Sequence, residues 1–182
     1  ALGGHDPYSA SKAAAEIAVN AYRKIPKMPP LATVRAGNVI GGGDWGPRRL
    51  IPDLMRAVSD KNTAAIRNPE STRPWQHVLD CLNGYIVIAN HQLTHKIGNE
   101  PFNIGPDRGE AISVATIVEH FAREWPDIKW IKSNDDPIGP EKHHLMLDSS
   151  HAKKILGWRP KLTLNETVSW TIDWYRRLSY ST

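Results

Sequence analysis

Asp6-Pro7-Tyr8-Ser9-Ala10-Ser11-Lys12, followed by Ala32-Thr33-Val34-Arg35-Ala36-Gly37-Asn38-Val39-Ile40 and Gly41-Gly42-Gly43, decides the fold. An Asp cap with Pro at the first helical position satisfies free amide groups and pre-sets φ, so a helix begins at Pro7. The alanine-rich stretch Ala13 to Arg23 continues it, and the prolines from Pro26 to Pro30 end it. The β-branched run Ala32 to Ile40 then reads as one strand, stopped by the glycine triplet.

The alternation continues along the chain. Leu50, Leu54, Met55 and Val58 recur at a helical period over Arg49 to Ser59. Ala64 to Arg67 is a short extended piece. Trp75 to Val78 leads into a helix through Ile88, with Leu82, Tyr85, Ile86 and Ala89 as its apolar stripe. Phe102 to Ile104 is a strand. Ser113 caps a helix whose face is Val114, Ile117, Val118 and Phe121. Ile128 to Ile131 and Leu145 to Leu147 read as extended. A capping box, Thr163 with Glu166, opens a last helix through Val168, Ile172 and Tyr175. Strands alternating with helices give the α/β class.

Composition narrows the function classes. The 182 residues are 40% hydrophobic and 23% charged, enough for one ordinary core, and no apolar run reaches membrane-span length. The net charge of +4 comes from 23 basic and 19 acidic residues without long like-charge runs, too even for a dedicated nucleic-acid binder. A modest positive field suits a small anionic ligand. One cysteine, Cys81, excludes an internal disulfide framework and fits a reduced, cytoplasmic compartment. There is no G-x-G-x-x-G and no phosphate-binding P-loop.

Tyr8 and Lys12 stand four apart on one helix and so share a face. Such a pair is a candidate general base for an alcohol or sugar hydroxyl, with the ammonium expected to assist the phenol, although a Tyr and a Lys four apart also arise by chance. Gly41-Gly42-Gly43-Asp44 either offers backbone amides to a phosphate or is a plain turn. Arg67 and Arg73 flank a turn-rich stretch and carry forks that match diphosphate oxygens, although unliganded surface arginines are the commoner case. Trp45 and Trp75 lie beside these loops and are candidates to line a pocket, whereas Trp158, Trp170 and Trp174 fit helix packing. His91 with His95, and His143 with His144, lack a third metal ligand at a recognisable spacing, so no metal is expected.

These pieces resemble the extended short-chain dehydrogenase/reductase superfamily and, within it, the CDP-glucose 4,6-dehydratases. The match runs through Gly4-His5-Asp6-Pro7-Tyr8-Ser9, Ser11-Lys12, Val34 to Trp45, Arg67-Asn68-Pro69, Arg73-Pro74-Trp75-Gln76-His77-Val78 and Leu156-Gly157-Trp158 with Pro160. It covers the whole chain but only the C-terminal part of a family member. It implies the back of a Rossmann-like doubly wound sheet plus a smaller mixed α/β substrate-binding domain. Residues 1–45 would belong to the former and 46–182 mostly to the latter, with 78–105 returning to the sheet. Implied too is NAD-dependent dehydration of CDP-glucose to a 4-keto-6-deoxy sugar, a step of deoxysugar biosynthesis.

Tyr8 would take the 4-hydroxyl proton and Lys12 would bind the nicotinamide ribose. Ala36 and Val39 would run past the cofactor, and Asn38, Arg49, Arg67, Arg73 and Asn103 would contact the nucleotide-sugar. A homo-oligomer is implied for the full-length form. The family's glycine-rich NAD loop and water-loss triad match no residue of this chain, so by itself it is expected neither to hold NAD nor to complete dehydration. An epimerase or decarboxylase of the superfamily, or a non-catalytic nucleotide-sugar-binding fragment, are the competing readings. Arg48 stands where an acid is expected, Asp80-Cys81 replaces Glu-Pro, and Pro140-Glu141-Lys142-His143 departs from the usual pattern.

Overall fold

A computed structural model describes residues 3, 6–95, 99–106, 111–134 and 143–179. Helix α1 (Pro7–Tyr22) starts as its cap requires: the Asp6 carboxylate accepts the Ser9 amide at 2.9 Å, with Pro7 in the first turn. None of its side chains is buried. Polar contacts to the next strand hold it instead. Arg35 donates to Glu16 at 2.8 Å and the Thr33 hydroxyl to the same carboxylate at 2.9 Å. Arg23 adds a bond to the Leu31 carbonyl at 2.8 Å.

The expected single strand is in fact two, β1 (Thr33–Ala36) and β2 (Asn38–Ile40), and they belong to different sheets. The break falls at Gly37 because its neighbour there is backbone: a Cβ at this position would lie 2.3 Å from the Pro74 carbonyl oxygen. Asn38 donates to that same carbonyl at 3.0 Å, which steers the chain onto a new partner.

Helix α2 (Leu50–Ser59) buries Ile51, Leu54 and Met55, close to the expected face. Strands β3 (Ala64–Ile66), β4 (Thr72–Arg73) and β5 (Trp75–His77) follow, then helix α3 (Val78–His95) and β6 (Pro101–Ile104). The two-residue β7 (Ile112–Ser113) feeds α4 (Val114–Glu124), where the Ser113 hydroxyl accepts the Thr116 amide at 3.0 Å as predicted. The expected strand at Ile128 to Ile131 is shifted to β8 (Trp130–Lys132), since Ile128 instead closes a turn onto the Trp125 carbonyl. Helix α5 (Ser150–Leu156) ends in left-handed Gly157, and α6 (Leu164–Ser179) opens with the reciprocal Thr163–Glu166 bonds.

Pairing is parallel for β1 with β6, β2 with β5 and β3 with β8, and antiparallel for β4 with β7. Leu145 to Leu147 forms no strand among the described residues; His144 makes one isolated parallel bridge to Thr72. Two apolar clusters result. The larger joins α2, β3, α4 and α6 through Leu54, Ile66, Phe121 and Ile172, and the smaller joins α3, β6 and α5 through Ile88, Ile104 and Leu156.

Helix α3 departs from its predicted face. Leu82, Tyr85, Ile86 and Ala89 all point outward, while Cys81, Gly84 and Ile88 are buried. Close approach decides this: at Gly84 an added Cβ would meet Ile104 Cγ2 at 2.9 Å, so the small residue marks the packed side. Asp80 anchors the far end of the helix's neighbourhood, accepting the Lys161 and Leu162 amides at 2.8 and 3.0 Å just before α6. No described helix is long and apolar enough to cross a membrane.

The Gly37 junction gives a direct stability test. Gly37→Ala is expected to destabilise the protein by about 3 kcal/mol, because the obstructing atom is a main-chain oxygen that cannot rotate away. Denaturant unfolding of the two proteins checks this, and a difference under about 1 kcal/mol would show that the junction yields.

Candidate active site

Three strands deliver their carboxyl ends to one place. Gly37 follows β1, Gly41 follows β2 and Arg67 follows β3, and all three line a cavity of about 730 Å³. Tyr8 enters it from the first turn of α1, with 71% of its surface exposed. Lys12, one turn on, sets its ammonium 5.5 Å from the Tyr8 ring centroid, over the ring face. Tyr8 and Lys12 are thus neighbours as the spacing predicts, and Lys12 lies behind the tyrosine rather than in the cavity wall.

Of the residues expected to bind ligand, Asn38, Val39, Arg49, Arg67 and Arg73 line this cavity together. The Asn38 side-chain amide has no partner among the described residues. Arg73 is buried and donates to the Thr72 carbonyl at 2.8 Å and to His143 at 3.4 Å, so part of its fork is spent holding β4 to the segment at 143. Arg49 pairs with Asp44, 3.0 Å to one carboxylate oxygen and 3.2 Å to the other. Burial pushes the Asp44 carboxyl up, but the Gly46 amide and the Arg49 guanidinium outweigh it and hold it below the usual range.

Two expected residues are placed elsewhere. Asn103 is not among the residues lining the cavity; it donates to the Asp148 carbonyl at 3.0 Å, where it ties β6 to the approach of α5. Ala36 lies one residue before the wall, which begins at Gly37. Gly4, His5 and the stretch 140–142, as well as the side chain of His95, lie outside the described residues. No group of three potential metal ligands occurs among the described residues.

The glycine triplet has a packing explanation. At Gly42 an added Cβ would stand 2.1 Å from Trp174 of α6, and Tyr175 donates its hydroxyl to the Asp44 carbonyl at 2.6 Å. Trp45 sets its ring edge-on to Tyr175 at 5.3 Å instead of lining the cavity, whereas Trp75 does line it. The wall that carries Asp44 and Arg49 is therefore clamped from behind by α6. Sequence reasoning missed this clamp, whose one visible signal is the Trp174-Tyr175 pair on the last helix.

Fold and cavity together define a Rossmann-like α/β arrangement, a Tyr-x-x-x-Lys helix at the carboxyl ends of parallel strands. The family model for GDP-mannose 4,6 dehydratase matches residues 1–171, and the chain belongs to that family. It is 42% identical, over 96% of its length and 51% of the relative's, to a CDP-glucose 4,6-dehydratase of Salmonella typhimurium. Among solved structures it resembles an epimerase of Methanothermobacter thermautotrophicus (TM-score 0.85, 20% identity, covering 100% of this chain and 53% of that one). It also resembles a dTDP-glucose 4,6-dehydratase of Bacillus anthracis in complex with NAD (TM-score 0.78, 24% identity, 97% and 54%). The chain spans about half the length of the curated relatives it matches.

Because α1 is held by ions rather than by apolar burial, its seat depends on acid. The Arg35 hydrogen bond, with the Thr33 hydroxyl, holds the Glu16 carboxyl below its ordinary 4.5, against some opposing burial. A depressed carboxyl stabilises the fold above the unfolded value and loses that contribution as pH falls through the lower folded one. Glu16→Gln is therefore expected to cost about 1 kcal/mol or less at pH 7. The gap to the unsubstituted protein should narrow below about pH 4.5, as followed by denaturant unfolding across the acid range. A gap that stays constant into acid would overturn this account of α1.

Proposed function

We propose that this chain supplies the catalytic tyrosine and the substrate side of an NAD-dependent CDP-glucose 4,6-dehydratase. The observation that carries the reading is a single one: Tyr8, Asn38, Arg49, Arg67 and Arg73 meet in one cavity at the ends of three strands. The 42% identity to the Salmonella enzyme, far above that to the dTDP-glucose enzymes, supports CDP-glucose as the substrate. The enzyme is proposed to be cytoplasmic and homo-oligomeric in its full-length form.

The residues fit the nicotinamide end of NAD, since Val39 leaves 38% of its surface bare in the cavity that Tyr8 enters. NAD, when bound, supplies a reversible hydride acceptor. Tyr8 would take the proton of the sugar 4-hydroxyl, and its exposed phenol borders the cavity that a ligand would fill. Lys12, outside the cavity lining but one turn from Tyr8, would reach the nicotinamide ribose from beside the tyrosine. Arg67 and Arg73 bind the diphosphate, whose geometry their guanidinium forks match. Arg49 borders the nucleotide, tied to the wall through Asp44, and Asn38 offers its unpartnered amide to the same ligand. Ala36 acts through the main chain next to Gly37.

The intact protein, expressed from its full coding sequence, is expected to convert CDP-glucose to the 4-keto-6-deoxy product. Tyr8→Phe should lower kcat by about a thousandfold with little change in KM, the signature of a lost proton-transfer group. Mass analysis of the sugar product separates the reactions: loss of water marks a dehydratase, unchanged mass an epimerase. Preference for another nucleotide-sugar, or an unimpaired Tyr8→Phe enzyme, would overturn the reading.

A further inference from the structure

Charges in the cavity do not balance. Its two carboxylates are neutralised, Asp44 by Arg49 at 3.0 Å and Asp53 by Arg56. Arg73 rests on the main-chain carbonyls of Thr72 and His143. Arg67 and Arg48 also line the cavity, and neither has a protein acceptor among the described residues. Among the described residues, two arginines lining the cleft are thus left without a counter-ion, the charge that a diphosphate brings. Arg67 already has a part in the proposed function; Arg48 has none.

The backbone at Arg48 is also unusual. It has φ +61 at the second corner of the turn after Pro47, a position where glycine fits freely and a side chain is strained. Lys27 (φ 61) sits at the equivalent corner after Pro26, and Lys61 (φ 53) follows the end of α2. Both of those lysines are exposed and lie outside the cavity lining, so neither charge bears on it. Of these three strained residues among the described ones, Arg48 alone lines the cavity. Arg49 differs in already having a partner, its side chain folded over Gly46 (3.0 Å from Nε to an added Cβ) onto Asp44.

We propose that Arg48 is a ligand-contact residue that donates charge-assisted hydrogen bonds to the phosphate oxygens of a bound nucleoside diphosphate, acting beside Arg67. This rests on the proposed function only in taking a nucleotide to be the ligand. A guanidinium fork meets phosphate oxygens two at a time, in charge-assisted bonds stronger than neutral ones. The consequence is selectivity for phosphate number: affinity gained through Arg48 grows from nucleoside to monophosphate to diphosphate.

Binding of cytidine, CMP and CDP to the intact protein, with and without Arg48→Gly, tests this. Arg48→Gly removes the guanidinium and relaxes the turn, so Tm should hold or rise. CDP affinity should nevertheless fall by about tenfold while cytidine changes by less than about twofold, and added salt should shrink the CDP difference. Arg48→Gln, which keeps a side chain at the corner, should show the same graded loss, and Arg48→Lys should recover part of it.

Equal losses for cytidine and CDP, or a CDP affinity within about twofold of the unsubstituted protein, would overturn the inference. A loss accompanied by a fall in Tm in both Arg48→Gly and Arg48→Gln would do the same. The two proposals fail separately. If CDP-glucose is not turned over but UDP or dTDP binds in an Arg48-dependent way, the substrate reading falls and Arg48 keeps its role. If CDP-glucose is turned over and KM ignores Arg48, only this inference falls.

Discussion

The carbonyls of Pro74 and Ile104 form the hinge on which the rest of the molecule depends. Ile104 accepts the Gly37 amide at 3.2 Å and the Gln76 side chain at 2.8 Å, while Pro74 accepts the Asn38 amide at 3.0 Å. Through these bonds the pair β1–β6 is joined to the pair β2–β5, and the chain crosses from one to the other in a single residue. Only a residue without a Cβ can sit against the Pro74 oxygen. The crossing brings Asn38 and Val39 to the cavity wall a few residues from the point where Tyr8 enters.

Around that hinge the site is assembled from weakly buried parts held by polar contacts. The helix with Tyr8 buries none of its side chains and relies on Glu16, Arg35, Thr33 and Arg23. The opposite wall is clamped by aromatic groups of α6, with Trp174 against Gly42 and Tyr175 on the Asp44 carbonyl. Asp80 fixes the entry to that last helix by accepting two amides. Tyr8 on an exposed helix and Asp44 with Arg49 on a clamped wall are two mechanical solutions within one cavity. The first leaves the tyrosine exposed, and the second ties Arg49 to Asp44.

What was legible in the sequence was local. Asp6 before Pro7, Ser113 before its apolar run and the Thr163–Glu166 box each announced a helix start, because a cap needs only a side chain and the next three amides. Tyr8 and Lys12 were placed together by helical geometry alone. The stripe of α3 was misjudged for the opposite reason. Its larger apolar residues satisfy a helical period, but the packed side was chosen by Gly84, which lets the helix approach Ile104. The strand break at Gly37 and the use of Asn103 to hold the Asp148 carbonyl were equally invisible, since both partners lie far along the chain.

The sequence by itself determined the α/β class, the helix starts, the adjacency of Tyr8 and Lys12 and a set of arginines whose forks match a diphosphate. Each depends on residue type and on spacing within a turn or two. Tertiary structure decided which of those arginines are spent on protein acceptors and which keep a free fork in the cavity. Asp44 and Asp53 neutralise Arg49 and Arg56, and Arg48 is left uncompensated among the described residues, because charge pairing is settled by distances across a folded cleft rather than along the chain.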